Sequence, residues 1–183
     1  KRGSVMGKSA RLQKLREILG RQDLDGILIS TPENRRYISG FVGTSGYLFI
    51  SQKDAVVATD FRYVEQAERQ AHDFVVHRIS GPGWLPVLLK NSGVKRLGFE
   101  SQHMTVAELT GFEKSVQEAT LDLDIELIET SHVIDKMRAW KDPEEIETLT
   151  RAIEITDQAL GFVVSGMAAG VTEKEIAWEL EKA

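Results

Sequence analysis

Leu12, Leu15, Ile18 and Leu19 recur at three- and four-residue spacing and stop at Gly20. That pattern predicts a helix over Ala10–Leu19 with Gly20 as its left-handed cap. The run GILIS, from Gly26, carries apolar residues on both faces and reads as a buried strand. Thr31 and Pro32 then have the cap and first-turn pattern of a short helix. GYLFIS and AVVAT, separated by Gln52, Lys53 and Asp54, read as a hairpin. Asp60 is read as the cap of a helix whose inner stripe is Phe61, Val64, Ala67 and Ala71, with Glu65 and Arg69 paired outside. DFVVHRI gives a further strand, SGPGW a turn, Leu85 to Lys90 a helix and RLGFES a strand. Thr105 and Glu108 make a capping box for the next helix, and LDLDIELIE alternates as a half-exposed strand at a sheet edge should.

Strands alternating with helices predict an α/β domain, a mixed β-sheet with helices on both faces, in which the hairpin supplies the antiparallel part. After Ser131 the pattern changes. Asp142, Pro143, Glu144 and Glu145 form a strong helix start, followed by apolar residues at 146, 149, 153, 160 and 164. Thr172 and Glu175 open a second helix that runs to the end of the chain. Two helices without a sheet do not close a core of their own. The pattern therefore divides the chain into an α/β domain at 1–131 and, at 132–183, a connecting segment with the first helices of another domain.

Composition narrows the function. Of the 183 residues 42% are hydrophobic and 28% charged, with a net charge of -5, which gives no bulk affinity for nucleic acid. The absence of cysteine excludes thiol catalysis, disulfides and thiolate metal sites. No apolar run approaches the roughly 18 residues of a membrane span, so the expected location is the cytoplasm. Basic residues crowd the start, from Lys1 to Arg16, and read as a solvated helix face. Met6 is read as the natural start and Lys1 to Val5 as an added leader.

The segment TPENRRYISGFVGTSG, Thr31 to Gly46, spaces its glycines at 40, 43 and 46 and is followed by a strand pattern, so it is not a dinucleotide or phosphate loop. His72, His77, His103 and His132 stand apart in sequence, without metal-ligand spacing. Asp122, Asp124 and Glu126 share one strand face, but alternate residues on a strand are about 6.5 to 7 Å apart, and the set reads as solvated. Ser45, in GTSG, lacks the strand and helix of a nucleophile elbow. No catalytic set is legible.

Four segments together resemble the creatinase, prolidase and Xaa-Pro aminopeptidase family of metallohydrolases. NRRYISGF is similar through Asn34, Tyr37, Gly40 and Phe41, and DFRYVEQA through Asp60, Arg62, Tyr63, Gln66 and Ala67. RAWKDPEEIE is similar through Arg138, Lys141, Glu145 and Ile146, and GVTEKEIAWELE through Gly170, Thr172, Glu173, Glu175 and Ala177. The prolyl peptidases resemble it more than creatinase does. The resemblance implies a creatinase-type N-terminal α/β domain followed by the first helices of a pita-bread catalytic domain. It implies an Xaa-Pro dipeptidase or aminopeptidase acting on proline-containing peptides as a homodimer, with no nucleic-acid or membrane partner. Two divalent metal ions, manganese or cobalt, are implied for the full-length enzyme, on ligands that do not map to this chain. The chain alone is therefore expected to hold no metal and to be inactive.

In such enzymes the N-terminal domain covers the active-site mouth and assists dimerisation, and some members lend a loop to the partner's site. Thr31 to Gly46 is the candidate loop. Arg35, Arg36 and Tyr37 are its candidate substrate-binding residues, the arginines offering a carboxylate a charge-assisted fork; the competing reading is that Tyr37 and Phe41 only pack the core. Two other readings stand beside the peptidase: a non-catalytic peptide- or protein-binding module of peptidase-like fold, and a creatinase-like amidinohydrolase.

Overall fold

The computed structural model describes residues 7–119 and 124–183. They divide into two compact units, one ending at Trp140 and one beginning at Lys141. The first is built on a six-stranded sheet of order β4-β3-β2-β1-β5-β6. Its strands are β1 Gly26–Ile29, β2 Tyr47–Ser51, β3 Ala55–Thr59, β4 Val75–Arg78, β5 Arg96–Glu100 and β6 Glu126–Thr130. β2 runs against both neighbours, with Ile27 facing Ile50 and Phe49 facing Val56. The pairs β1–β5, β5–β6 and β3–β4 are parallel. Five strands therefore share one direction and end at one edge of the sheet.

Each face of the sheet is covered. On one lie α1 Lys8–Arg21, α2 Pro32–Ser39, α3 Val64–Gln70 and α6 Val133–Ala139, which pack Leu15, Leu19, Ile38, Ala67, Ile134 and Met137 over Ile27, Ile29 and Leu48. On the other lie α4 Trp84–Leu89 and α5 Val106–Ala119, where Trp84, Leu85 and Phe112 cover Leu28, Phe49 and Leu97. Each fully buried aliphatic side chain contributes about 1.5 to 3 kcal/mol against exposure. The alternating strand pattern thus becomes two half-cores separated by the sheet.

Three local expectations are corrected. α1 continues through Gly20 to Arg21, and the chain turns instead at Asp23, whose φ is 55°. Asp60 does not cap α3. Its carboxylate accepts from the Arg62 backbone N–H and side chain, so the chain makes a turn and the helix begins only at Val64. That turn leaves Phe61 70% exposed, outside the inner stripe, while Ala67 and Ala71 are buried as expected. β6 is a half-exposed edge strand, as its alternation predicts, and begins at Glu126; the start of LDLDIELIE lies outside the described residues.

The division of the chain falls later than the change of sequence pattern at Ser131. α6 buries Val133, Ile134 and Met137 in the same half-core as α1 and α2, so it belongs with the sheet. The second unit consists of α7 Pro143–Gly166 and α8 Glu173–Lys182. Both helices start in reciprocal capping boxes, Asp142 with Glu145 and Thr172 with Glu175. Val163 is buried in this unit, whereas Ile146, Leu149, Ile153, Leu160 and Val164 are about half exposed.

Candidate functional site

The carboxyl edge of the sheet gathers the polar residues of the first unit. In α/β sheets this edge is where loops free of ladder hydrogen bonds present side chains to ligands. Ser30 and Thr31 follow β1, Thr59 ends β3 with Asp60 after it, and Glu100, Thr130 and Arg78 end β5, β6 and β4.

Glu100 organises one half of this edge. Its Oε2 accepts from the Ser30 and Thr31 backbone N–H groups at 2.8 and 2.7 Å, and its Oε1 from the Asn34 amide at 2.6 Å. Thr31 makes no side-chain cap to α2, so a carboxylate from β5 satisfies the helix start and meets its positive dipole end. Asn34 passes the connection on, its Oδ1 accepting from Arg138 Nη1 at 3.0 Å, and Asp135 accepts from the same nitrogen at 3.4 Å. Beside this network lies a cavity of about 170 Å³ lined by Gln102, His103 and His132 among others. His103 Nδ1 is 3.1 Å from Ser30 Oγ, and His132 bridges Gln102 and Asp135. Both imidazoles are thus engaged within the protein.

The other half of the edge is made where the first two signature segments meet. Thr44 Oγ1 lies 2.7 Å from the Tyr63 hydroxyl, Val42 N–H donates to Gln70 Oε1 at 3.0 Å, and Phe41 meets Tyr63 edge to face. Next to this junction Arg62 grips Asp60 through Nε at 3.0 Å and Nη2 at 2.9 Å. The Arg62 side chain, then its backbone N–H, holds the Asp60 carboxyl well below the usual carboxylate range. Arg78 stands with its guanidinium carbon 6.0 Å from the ring of the exposed Phe61. Phe61 and Val42 are both exposed, and the Arg62 guanidinium lies over the Tyr63 ring, its carbon 5.3 Å from the centroid.

The three predicted substrate residues do not come together. Arg35 is 2% exposed and donates from Nη1 to the Gly46 carbonyl at 2.8 Å. Tyr37 is buried, its hydroxyl donating to the Met137 carbonyl at 3.4 Å and its ring lying 4.1 Å from the Arg11 guanidinium carbon. Arg36 alone faces solvent. The packing reading of Tyr37 and Phe41 therefore describes both side chains. Among the described residues no three His, Asp or Glu side chains converge as a metal site. Asp124 is exposed and Glu126 pairs with Arg96 at 2.7 Å, while Asp122 lies outside the described residues. Sequence reasoning missed Glu100, whose signal was an acid ending a buried apolar strand, and Phe61, whose exposure depends on where α3 starts. Ser30 and His103 are the hydroxyl–imidazole pair of this edge, and the Ser30 hydroxyl also lies 3.5 Å from Glu100 Oε2.

The Creatinase/Prolidase N-terminal domain family matches residues 11–140. The uncharacterized peptidase YqhT of Bacillus subtilis is 35% identical over 173 residues, covering 93% of this chain and 47% of that protein. The structure of an Xaa-Pro dipeptidase from Bacillus anthracis superposes with a TM-score of 0.87 at 33% identity, over 96% of this chain and 48% of that one. The N-terminal domain of the cytoplasmic peptidase PepQ from Mycobacterium tuberculosis superposes at 0.63 with 35% identity, over 69% of this chain and 97% of that one. The chain spans about half the length of the first two proteins. No helix of the described residues is long and apolar enough to cross a membrane.

Proposed function

Because this chain belongs to the creatinase/prolidase N-terminal domain family, we propose that it is the N-terminal part of an Xaa-Pro peptidase acting on proline-containing peptides. The observation that carries the reading is the superposition on the Bacillus anthracis Xaa-Pro dipeptidase, which includes nearly the whole chain. Under it, α7 and α8 are the opening helices of a pita-bread catalytic domain, and their half-exposed stripe is the surface that the remainder of that domain covers. The catalytic centre, two divalent cations of manganese or cobalt type that activate a water, lies on residues outside this chain. On this reading the chain contributes recognition and assembly, and the chemistry belongs to the rest of the protein.

The α/β unit covers the active-site mouth in a cytoplasmic homodimer. The loop from Thr31 to Gly46 faces substrate across the dimer. Of its two arginines the buried Arg35 is committed to Gly46, which leaves the exposed Arg36 as the contact for a substrate carboxylate.

The test is kinetic, on the full-length protein with manganese present, comparing an Xaa-Pro dipeptide with a longer peptide that begins Xaa-Pro. Hydrolysis of either class supports the reading, and loss of both overturns it. The isolated chain is expected to be inactive; turnover by it would place the catalytic residues here after all. Arg36→Ala is expected to lower kcat/KM for the dipeptide by up to about 2 to 3 kcal/mol of transition-state binding, the scale of a hydrogen bond to a charged group, and to affect the longer peptide less.

A further inference from the structure

Arg35 is a buried cation with an incomplete set of partners. Its guanidinium is 2% exposed, and its Nε finds no acceptor within the protein. Burial pulls its pKa down from the ordinary arginine value, against weaker pulls upward from Tyr47, Glu100 and Glu33, none of which pairs with it directly. A charge held this way costs free energy that an apolar residue of similar length would not. Its compensating contact is with the Gly46 carbonyl at 2.8 Å.

Gly46 is the last residue before β2, and its φ of 139° is one that residues with a side chain rarely adopt. A Cβ there would lie 2.6 Å from the Ala58 carbonyl oxygen. The bond from Arg35 therefore joins α2 to the entry of β2 and closes the Gly40–Gly46 loop at its base. Within that loop Phe41 lies with its ring centroid 5.8 Å from the Arg35 guanidinium carbon, and the Gly43 backbone packs so closely on the same ring that a Cβ would overlap it. The guanidinium bonds the base of the loop and lies within cation–π range of the ring around which it folds.

We infer that Arg35 is the positioning residue of the Gly40–Gly46 loop: a buried guanidinium that fixes how Val42 and Thr44 are presented at the carboxyl edge of the sheet. What the loop recognises rests on the peptidase reading; that Arg35 fixes it does not. A lysine keeps the charge but not the planar donor set.

The experiment is amide hydrogen exchange on this chain. In Arg35→Met, amides between Val42 and Ser45 are expected to exchange about tenfold faster or more, the equivalent of one lost charged hydrogen bond, while those of Ile27 to Ile29 and Leu48 to Ile50 keep their rates. Arg35→Lys is expected to leave the loop fast, and millimolar guanidinium to slow it again in Arg35→Ala. An unchanged loop rate in Arg35→Met, a uniform acceleration of loop and sheet, or full rescue by lysine would each overturn the assignment. A readout on the unaltered protein remains should the variants not fold. Restricted rotation of the Arg35 Nη groups, seen as separate nitrogen resonances, is expected, and free rotation would refute the bond. Neither measurement involves a peptide, so the outcome is independent of whether the parent cleaves one.

Discussion

Arg138 donates from Nη1 to the Asn34 side-chain carbonyl at 3.0 Å, across 104 residues of sequence. Asn34 is buried, and its Nδ2 donates to Glu100 Oε1 at 2.6 Å, so one amide joins a carboxylate from β5 to a guanidinium from α6. The partners fix the orientation of the amide, since only the oxygen can accept from arginine and only the nitrogen can give to the carboxylate. Two of the four signature segments are thereby tied to each other.

This predicts non-additive energetics. Asn34→Ala and Arg138→Ala are each expected to destabilise by about 1 to 3 kcal/mol, with a coupling of about 1 kcal/mol or more between them, because either change strands groups the other would have satisfied. Urea unfolding of the two single variants and the double variant measures it. Strict additivity would show that the contact contributes nothing beyond its parts.

Tyr47 gives a pH dependence with a defined sign. Burial and then the hydrogen bond to Glu108, at 2.9 Å, push its phenol up to about 12. The raised folded pKa means that Tyr47 contributes its full stability below the unfolded value of about 10 and loses it as the pH rises toward 12. The urea midpoint is expected to fall between pH 9.5 and about 11.5, and to fall less steeply in Tyr47→Phe. Glu108 supplies the acid-side counterpart. Burial tends to raise its pKa, but hydrogen bonds from Thr105 and Tyr47 outweigh that and leave it lowered. Its contribution is present above the ordinary glutamate pKa and disappears as the pH drops through the lowered one.

Two glycines should respond in opposite directions to the same change. Gly20 lies inside α1 with open space where a methyl group would stand, so Gly20→Ala is expected to stabilise by about 0.5 to 1 kcal/mol through helix propensity. At Gly46 both φ and the Ala58 carbonyl oppose a side chain, and Gly46→Ala is expected to cost about 1 to 3 kcal/mol. Thermal melts of the pair decide; equal signs would contradict the local geometry of one of them.

The helices after Asp142 should associate. Ile146, Leu149, Ile153, Leu160 and Val164 are 48 to 59% exposed, and an apolar stripe of that length is unfavourable in water. Light scattering is expected to show concentration-dependent association of this chain, weakened in Ile153→Lys combined with Leu160→Lys. A monomer at all concentrations would mean that the stripe is tolerated uncovered.

The sheet and both capping boxes of the second unit were legible because they rest on local patterns, alternation in the strands and paired cap residues at Asp142 and Thr172. Gly20 and Asp60 misled for a shared reason. Glycine favours a helix end and aspartate a helix start, but the Gln22 N–H still bonds the Ile18 and Leu19 carbonyls beyond Gly20, and the Arg62 side chain holds the Asp60 carboxylate in a turn before α3. The candidate site was half legible. The segments were recognisable, yet the fates of Arg35 and Arg36 depend on which side of an eight-residue helix each occupies, and Glu100 acts on residues some 70 positions earlier. Such long-range assignments have no periodicity to read.

The strand order also bears on how the protein emerges from the ribosome. β1 pairs with β2 soon after both are made, but its other edge pairs with β5, about 70 residues later. At roughly 5 to 20 residues per second, the central strand waits about 4 to 14 s with one row of backbone donors and acceptors unpaired. Once β4 has been made, a four-strand nascent sheet presents Ile27 and Leu28 beside an open ladder, and translation speed between β4 and β5 sets how long that last stage exposes it to another chain.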